Sequence, residues 1–489
     1  FGQWLHGTPL IDYRLSKVER HRMGNRWRTV VTIDRLGDGW MPIEVGDRDT
    51  VYGRASGQAE RERVEFVTNH KPGRLLLDPR QRAHDWNALN NHEKRLFSGR
   101  AAHLVRIDNP TRQEARRDRL VTGLLPLVWY NDYGGWTGAL RARSNYLGRF
   151  EKHLAVESVA LDPDATHRFG DYFRFGNPIN RPMPRTEASA TFWFVEGRLG
   201  IALQADRSMR EHLGFGADRH AGFDAIWMAV NDLGYVDRRL WDNAGTIEAG
   251  PWASVTSQRG ASIWRACAGV RGGIVYRNPG AGDQSSKRYD VEGFARATGE
   301  VSLRTPFLLK TTLGARLFGG AYVAQNDPPL QRRIMLAGAG PYETFTNPLL
   351  RSRGALLVRP DFHYHAPGDA NLRGFGPELG GRWAVALNLE ATRDVFRGSR
   401  SGLFAAVALE AFADAGIVDS QAVPSVPSGK SYTTLYDGGF GVVTRHRIND
   451  LSWTMRFEAP LIVNRWDYAA DGNGSRFAFR WQVSLEPSF

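Results

Sequence analysis

The sequence predicts an all-β chain dominated by an antiparallel transmembrane β-barrel of about sixteen strands, and three observations carry that prediction. From Leu120 to Phe489, segments of roughly ten residues alternate apolar with polar side chains and are divided by Gly, Asp, Asn and Pro clusters. Strands with one face toward lipid and the other toward water read this way. No run of about 18 apolar residues exists, so helical spans are excluded. The mean hydropathy of -0.41 is compatible with a barrel, because alternating strands average out as hydrophilic.

The elements follow in order. Residues 1–98 open with a short helical end, FGQWLHGTPLIDY, and continue as short strands: RWRTVVTIDR, GWMPIEVG, RVEFVTN and GRLLLDP. Trp27, Thr29, Val31 and Ile33 share one face by period-two alternation, which predicts a small N-terminal β-sandwich. Residues 99–119 read as a charged linker, with RQEARRDRL as a short helix lacking a core-forming stripe. About eleven strand candidates run from Leu120 to Val323, among them VTGLLPLVWYN, WTGALRARSNYL and LKTTLGARLFGGAYV. A long loop, 324–380, holds RRIMLAGAGPYETF and DANLRGFG. Five more strands complete the chain: RWAVALNLEATRD, LFAAVALEAFADAG, FGVVTRHR, LSWTMRFEAPL and RFAFRWQVSLEPSF. In the last of these, Phe477, Phe479, Trp481, Val483, Leu485 and Phe489 fall on odd positions. Arg476, Arg480, Gln482, Ser484, Glu486 and Ser488 fall on even ones. The chain begins at Phe1 with no charged-then-apolar leader and is read as part of a longer polypeptide.

Composition narrows the chemistry. The net charge of +12 fits a solvated basic surface, a basic lumen or contact with anionic lipid head groups. Nucleic acid is not an expected partner, because the arginines are scattered through strands. The single cysteine, Cys267, excludes a disulfide framework and a multi-cysteine zinc site. It lies in SIWRACAGV, a strand candidate, and reads as a small packing residue. The 15 tryptophans and 11% aromatic content suit aromatic girdles.

No catalytic or metal site is predicted within the chain. His92-Glu93 is the only His-Glu pair, and HEKRL has Leu96 where H-E-x-x-H needs its second ligand. His363 and His365 in FHYH share a parity but sit in a polar loop. GAGP, Gly338 to Pro341, lacks the Lys-Ser/Thr of a phosphate loop. No serine stands in a G-x-S-x-G elbow.

Two resemblances add to this reading. Leu372, Arg373, Gly374 and Phe375 form LRGF inside the long loop, with five strands left before the aromatic C-terminal strand. In these features residues 120–489 resemble the outer-membrane surface-antigen superfamily, which includes BamA, TamA and two-partner secretion transporters. The resemblance implies a sixteen-stranded barrel with loop six folded back into the lumen. It further implies a loop anchor in which Arg373, with Gly374 and Phe375 beside it, meets acidic residues on the twelfth and thirteenth strands. Parity turns Glu390 and Asp414 inward there. It also implies an assembly signal at Phe477, Phe479, Trp481 and Phe489, read by the barrel-assembly machinery. The N-terminal stretches WLHGTPLIDY, VVTIDRLGDGWMPIEV and LLLDPRQRAHDWNALNN resemble the region behind the zinc domain of gluzincin aminopeptidases of the leukotriene-A-hydrolase type. That implies a zinc domain upstream of this chain, which itself holds no cofactor.

Two functions are expected on these grounds. One is a Gram-negative outer-membrane barrel tethering a periplasmic metallo-aminopeptidase-like domain, with the active site outside this chain. The other is a protein-assembly or polypeptide-translocation factor whose peptidase-like domain only binds. Partners are outer-membrane lipid, the assembly machinery and periplasmic peptides or polypeptides.

Overall fold

The computed structural model describes residues 2–7, 9–94, 102–109, 116, 119–131, 135–147, 150–177, 186–209, 216–230, 232–277, 290–308, 310–323, 328–341, 365–398, 402–419, 431–449, 451–469 and 475–485. A short helix, α1 (Gly2–His6), precedes β1 (Tyr13–Met23), β2 (Arg26–Arg35), β3 (Ile43–Gly46), β4 (Val51–Ala55), β5 (Arg61–Thr68) and β6 (Leu76–Leu77). They form two three-stranded sheets, β1-β2-β5 and β4-β3-β6. Both sheets contribute to one core that includes Tyr13, Leu15, Val31, Ile33, Ile43, Val45, Val64, Phe66 and Leu77. Period two puts Thr29, Val31 and Ile33 inside, while Arg28 pairs with Glu65 of β5 in solvent. The sequence reading extends the helical end to Tyr13, where the helix stops at His6 and β1 begins; β1 is missed because its second half, KVERHRM, is charged, and β4 because Gly53 interrupts its five residues. The sandwich meets the barrel at a 3-10 turn, Ala88–Asn90. The Ala88 N–H donates to Tyr146 Oη at 3.0 Å, and Leu89 packs with Leu120 and Tyr146.

The remaining strands are β7 (Ala102–Ile107), β8 (Arg119–Asn131), β9 (Gly135–Tyr146), β10 (Phe150–Ala160), β11 (Phe169–Asn177), β12 (Thr186–Val195), β13 (Arg198–Ser208), β14 (Asp218–Val230), β15 (Ala244–Arg259), β16 (Ser262–Arg277), β17 (Asp290–Leu308), β18 (Thr311–Tyr322), β19 (Ile334–Met335), β20 (Gly380–Gly381), β21 (Trp383–Arg397), β22 (Gly402–Asp419), β23 (Tyr432–Ile448), β24 (Leu451–Val463) and β25 (Gln482–Ser484). β19 and β20 pair as a ribbon within the long loop; the others close into one barrel. Among the described residues, eleven antiparallel strands, β8–β18, precede that loop and five, β21–β25, follow it. Closure pairs each wall strand with two neighbours, which lets backbone groups be satisfied within the sheet, the condition for lying in hydrocarbon. The outer face is apolar: on β21, Val385, Leu387 and Leu389 are exposed, while Asn388 and Glu390 are buried inside. No helix among the described residues is long and apolar enough to cross a membrane.

Two expectations need correction. The segment 99–119 is more than a linker, because its residues 102–107 are β7, a seventeenth wall strand parallel to β8. Val105 and Ile107 face outward there and Asp108 is buried. Two outward apolar residues, with the adjacent Leu104 breaking the alternation, do not register beside RQEARRDRL, most of which lies outside the described residues; its Arg119 and Leu120 begin β8. The last strand is regular only over Gln482–Ser484. Upstream, Ala478 still donates to Leu461 O at 3.1 Å, but the Arg480 guanidinium turns back onto the carbonyls of Leu461 and Ser475.

The described parts of the long loop fold into the barrel. Ile334, Leu336, Ala370, Leu372 and Phe375 pack on the inner-wall residues Phe318, Ala384, Ala386, Val418, Leu435 and Val463. Apolar burial of this kind, about 25 cal/mol per Å², helps offset the ordering entropy of a long loop.

Candidate functional site

Within that plug, Leu372–Phe375 forms a tight turn against the inner wall. Gly374 is required by space: a Cβ there would lie 2.6 Å from Val463 Cγ1 and 2.8 Å from Asp437 Cβ. Leu372 packs on β22, where a side chain at Gly416 would crowd it. Phe375 is buried and bridges to Ala469. These two apolar neighbours fix the direction in which Arg373 points.

The Arg373 guanidinium is buried and donates to three carboxylates, with a fourth, Glu410, 3.7 Å away. Its Nε and Nη2 donate to the two oxygens of Asp414 at 2.8 and 2.9 Å. Its Nη1 donates to Glu390 Oε1 at 3.0 Å and to Glu458 Oε1 at 2.8 Å. The guanidinium carbon stands 3.9 Å from the centroid of the Phe412 ring, a stacked cation–π contact. Arginine suits this task because its planar fork serves several carboxylates and stays charged. The structure thus brings Arg373, Glu390 and Asp414 together. Glu458, on β24, was not expected, because the family pattern points only to the twelfth and thirteenth strands.

A second layer holds the carboxylates. Arg456 reaches Glu410 and lies 3.4 Å from Glu390. Gln482 of β25 donates to Glu458 at 2.8 Å. Asn388 donates to Asp414 at 3.0 Å and to the loop carbonyls of Ala370 and Asn371. Gly441 leaves room between Glu410 and Glu458, where a Cβ would approach both at 3.3 Å. Oxygens of Glu390, Glu410 and Glu458 lie within 4.8 Å of one another, a spacing that also suits a metal ion. Arg373 and Arg456 already supply the positive charge between them.

The plug is tied to the opposite wall as well. Arg332 donates to Glu248 of β15 at 2.6 and 3.2 Å, with both side chains buried. Gln331 Oε1 accepts from the Asp242 N–H at 3.0 Å. Arg296 of β17 lies 3.3 Å from Asp369 of the loop. Sequence reasoning missed these ties; the only signal was a basic pair inside the apolar stretch RRIMLAGAGP.

Other candidates resolve as follows. Phe477, Phe479 and Trp481 are exposed on the outer face, whereas Arg480, Gln482 and Ser484 are buried; Phe489 lies outside the described residues. Glu93 accepts both Arg20 Nη groups at 2.7 Å, so it staples the sandwich. His365 is buried beside Asn371 Oδ1 at 3.0 Å, and His363 lies outside the described residues. Cys267 differs from its expected role: it is exposed and lines a cavity of about 570 Å³ with Tyr172, Trp193, Trp252, Arg271 and Arg316.

No protein-family model matches the chain, and no curated protein sequence matches it. Among solved structures, CdiB from Escherichia coli is similar at 13% identity and a TM-score of 0.44, over 77% of this chain and 67% of that one.

Proposed function

We propose that this chain is an outer-membrane barrel of the surface-antigen type that moves or inserts polypeptide, with its N-terminal sandwich on the periplasmic side. The supporting observation is Arg373 fixed among Glu390, Asp414 and Glu458 in the barrel interior. Buried ion clusters contribute little net stability, and their best-attested use is to specify a register or a switch. Such a cluster, holding a folded loop across a lumen, suits a gated polypeptide handler better than a diffusion pore. On this reading the outward aromatics Phe477, Phe479 and Trp481, with Phe489, form the signal read by the assembly machinery, and lipid is the surrounding partner.

Reconstitution tests the reading. The folded chain should pass little steady current in planar bilayers, and Arg373→Ala should pass more. It should also accelerate insertion of an unfolded β-barrel protein into phosphatidylcholine vesicles. A large, steady wild-type conductance with no effect on insertion would identify a plain pore.

A second reading rests on the aminopeptidase-like stretches around the sandwich, in which the barrel tethers a metallo-aminopeptidase domain carried by further sequence. Zinc and aminopeptide hydrolysis in a longer polypeptide, both absent from this chain alone, would support it. Stoichiometric tight zinc in this chain would overturn it.

A further inference from the structure

β7 departs from the pattern of the wall. The other registered pairs in the barrel are antiparallel, whereas β7 runs parallel to β8 from Ala102↔Arg119 to Ile107↔Leu124. In the strand order it stands between β25 and β8, the two ends of the antiparallel run. β25 is three residues long and keeps register with β24 only at Arg456, Phe457 and Glu458. Among the described residues β25 is the shortest wall strand, and a segment from outside the up-and-down run fills the place beside it.

A specific device pins that segment. The Asp108 N–H extends the ladder, donating to Leu124 O at 2.8 Å. Its buried carboxylate reaches across β8 to β9, where Arg141 Nη2 donates to it at 2.6 Å and Arg143 lies at 3.4 Å. The reach requires the glycine at position 123, since a Cβ there would lie 2.6 Å from the Asp108 carboxylate. Gly123 is thus a notch, and Asp108 a catch seated in it.

We propose that β7 is an autoinhibitory strand. It covers the edge of β8 at which an extended segment of another polypeptide would add to the wall, and the Asp108–Arg141 pair holds it there. Open strand edges recruit other strands through main-chain hydrogen bonds. A parallel ladder is slightly weaker per residue than an antiparallel one, so a competing antiparallel segment has room to displace β7. Val105 and Ile107 point outward and Asp108 inward, which defines the competitor: an extended segment with apolar residues at every second position on its outward face. The inference rests on the geometry of the wall and stands whether or not the barrel transports polypeptide.

The test uses the full chain in detergent micelles, in a Cys267→Ala background, with a fluorescent synthetic peptide, AHLVRIG, as probe; its terminal glycine makes neither the Arg141 contact nor the contact at the Gly123 notch, so the variants weaken only the chain's own strand. The parent should bind the peptide weakly, because its own strand competes intramolecularly. Asp108→Asn and, separately, Arg141→Gln should bind it roughly tenfold or more tightly, the scale of a lost charged hydrogen bond. Gly123→Ala keeps both charges, fills the notch and should act in the same direction, which covers a charge variant that fails to fold. Leu104 and Val121 are register partners; a disulfide between Leu104→Cys and Val121→Cys should abolish the gain in Asp108→Asn, and reduction should restore it. Folded variants that bind no more tightly than the parent, or binding indifferent to the disulfide, would overturn the proposal.

Discussion

Arg373 occupies a position that no other residue type fills. Its four donated hydrogen bonds reach three carboxylates on three strands, so its loss leaves several buried charges uncompensated. Breaking one side of a buried pair typically costs about 3–5 kcal/mol, less where lumen water reaches the acids. Arg373→Ala is expected to lower the melting temperature of the folded barrel and to open the loop to protease. Arg373→Lys should rescue only partly, because an ammonium cannot fork across Asp414 while also reaching Glu390 and Glu458. Equal melting temperatures for Arg373→Ala and the parent would refute the anchor. In the sandwich, two carboxylates respond to pH with opposite sign. Burial, then the charge of Asp12, pushes the Asp85 carboxyl up to about 7. Burial also raises Asp34, but hydrogen bonds from Arg61 and Arg14 outweigh it and hold the group at about 2. Asp34 therefore contributes stability above its ordinary value of 3.8 that is lost as pH falls toward 2. Asp85 stays protonated in the fold while the unfolded chain ionises, so stability falls as pH rises from 3.8 to about 7. Protection of β2 and β5 amides from hydrogen exchange should peak near pH 4, after correction for intrinsic rates. Asp85→Asn should lower protection, because an amide keeps only one of the two oxygens that accept from Tyr13, Asn87 and Asn91, and should flatten the decline toward pH 7.

At the scale of single elements, the C-terminal segment offers the sharpest contrast between neighbours. Trp481 faces outward, while Gln482 is buried beside Glu458. A cation on the lipid face costs about 2–4 kcal/mol near the midplane. Trp481→Arg should therefore cripple assembly into the membrane, whereas Gln482→Arg gains an acidic neighbour and should be tolerated. Matched outer-membrane yields for the two variants would contradict the assigned faces. Removing Phe489 should slow insertion, read as accumulation of unassembled chain. The alternation behind these expectations was legible in the sequence because period two is local: Phe477, Phe479 and Trp481 declare one face within a few residues. The same locality turned Glu390 and Asp414 inward. It could not show which inward residues converge, because that depends on how strands stagger around the wall. Glu458 and Arg456 alternate as clearly as Glu390, yet nothing in MRFEAPL says that they meet Arg373. β7 was illegible for a related reason: its outward face is Val105 and Ile107 alone, Leu104 between His103 and Val105 breaks the period-two pattern, and its parallel register with β8 is set by closure of the whole barrel.

At the scale of the whole molecule, loop six is a crossbar tied at both sides of the lumen, to β21, β22 and β24 through Arg373 and to β15 through Arg332. The two ties share no residue, so their effects should add when one is removed at a time, as for separated sites. Arg332→Ala alone should loosen the side near β15 and raise conductance modestly, and the double variant with Arg373→Ala should lose the plug. A double variant no more conductive than Arg373→Ala would show that Arg332 bears no part of the load. Cys267 gives the means to watch this directly. It is the only sulfhydryl in the chain, and it opens into a chamber whose wall also carries Trp193 and Trp252 and whose lining includes Gly368 and Asp369 of the loop. A fluorophore attached there, with no residue altered, would sit beside two natural quenchers under a moving roof. Its brightness would then report, molecule by molecule and in real time, whether the crossbar is in place.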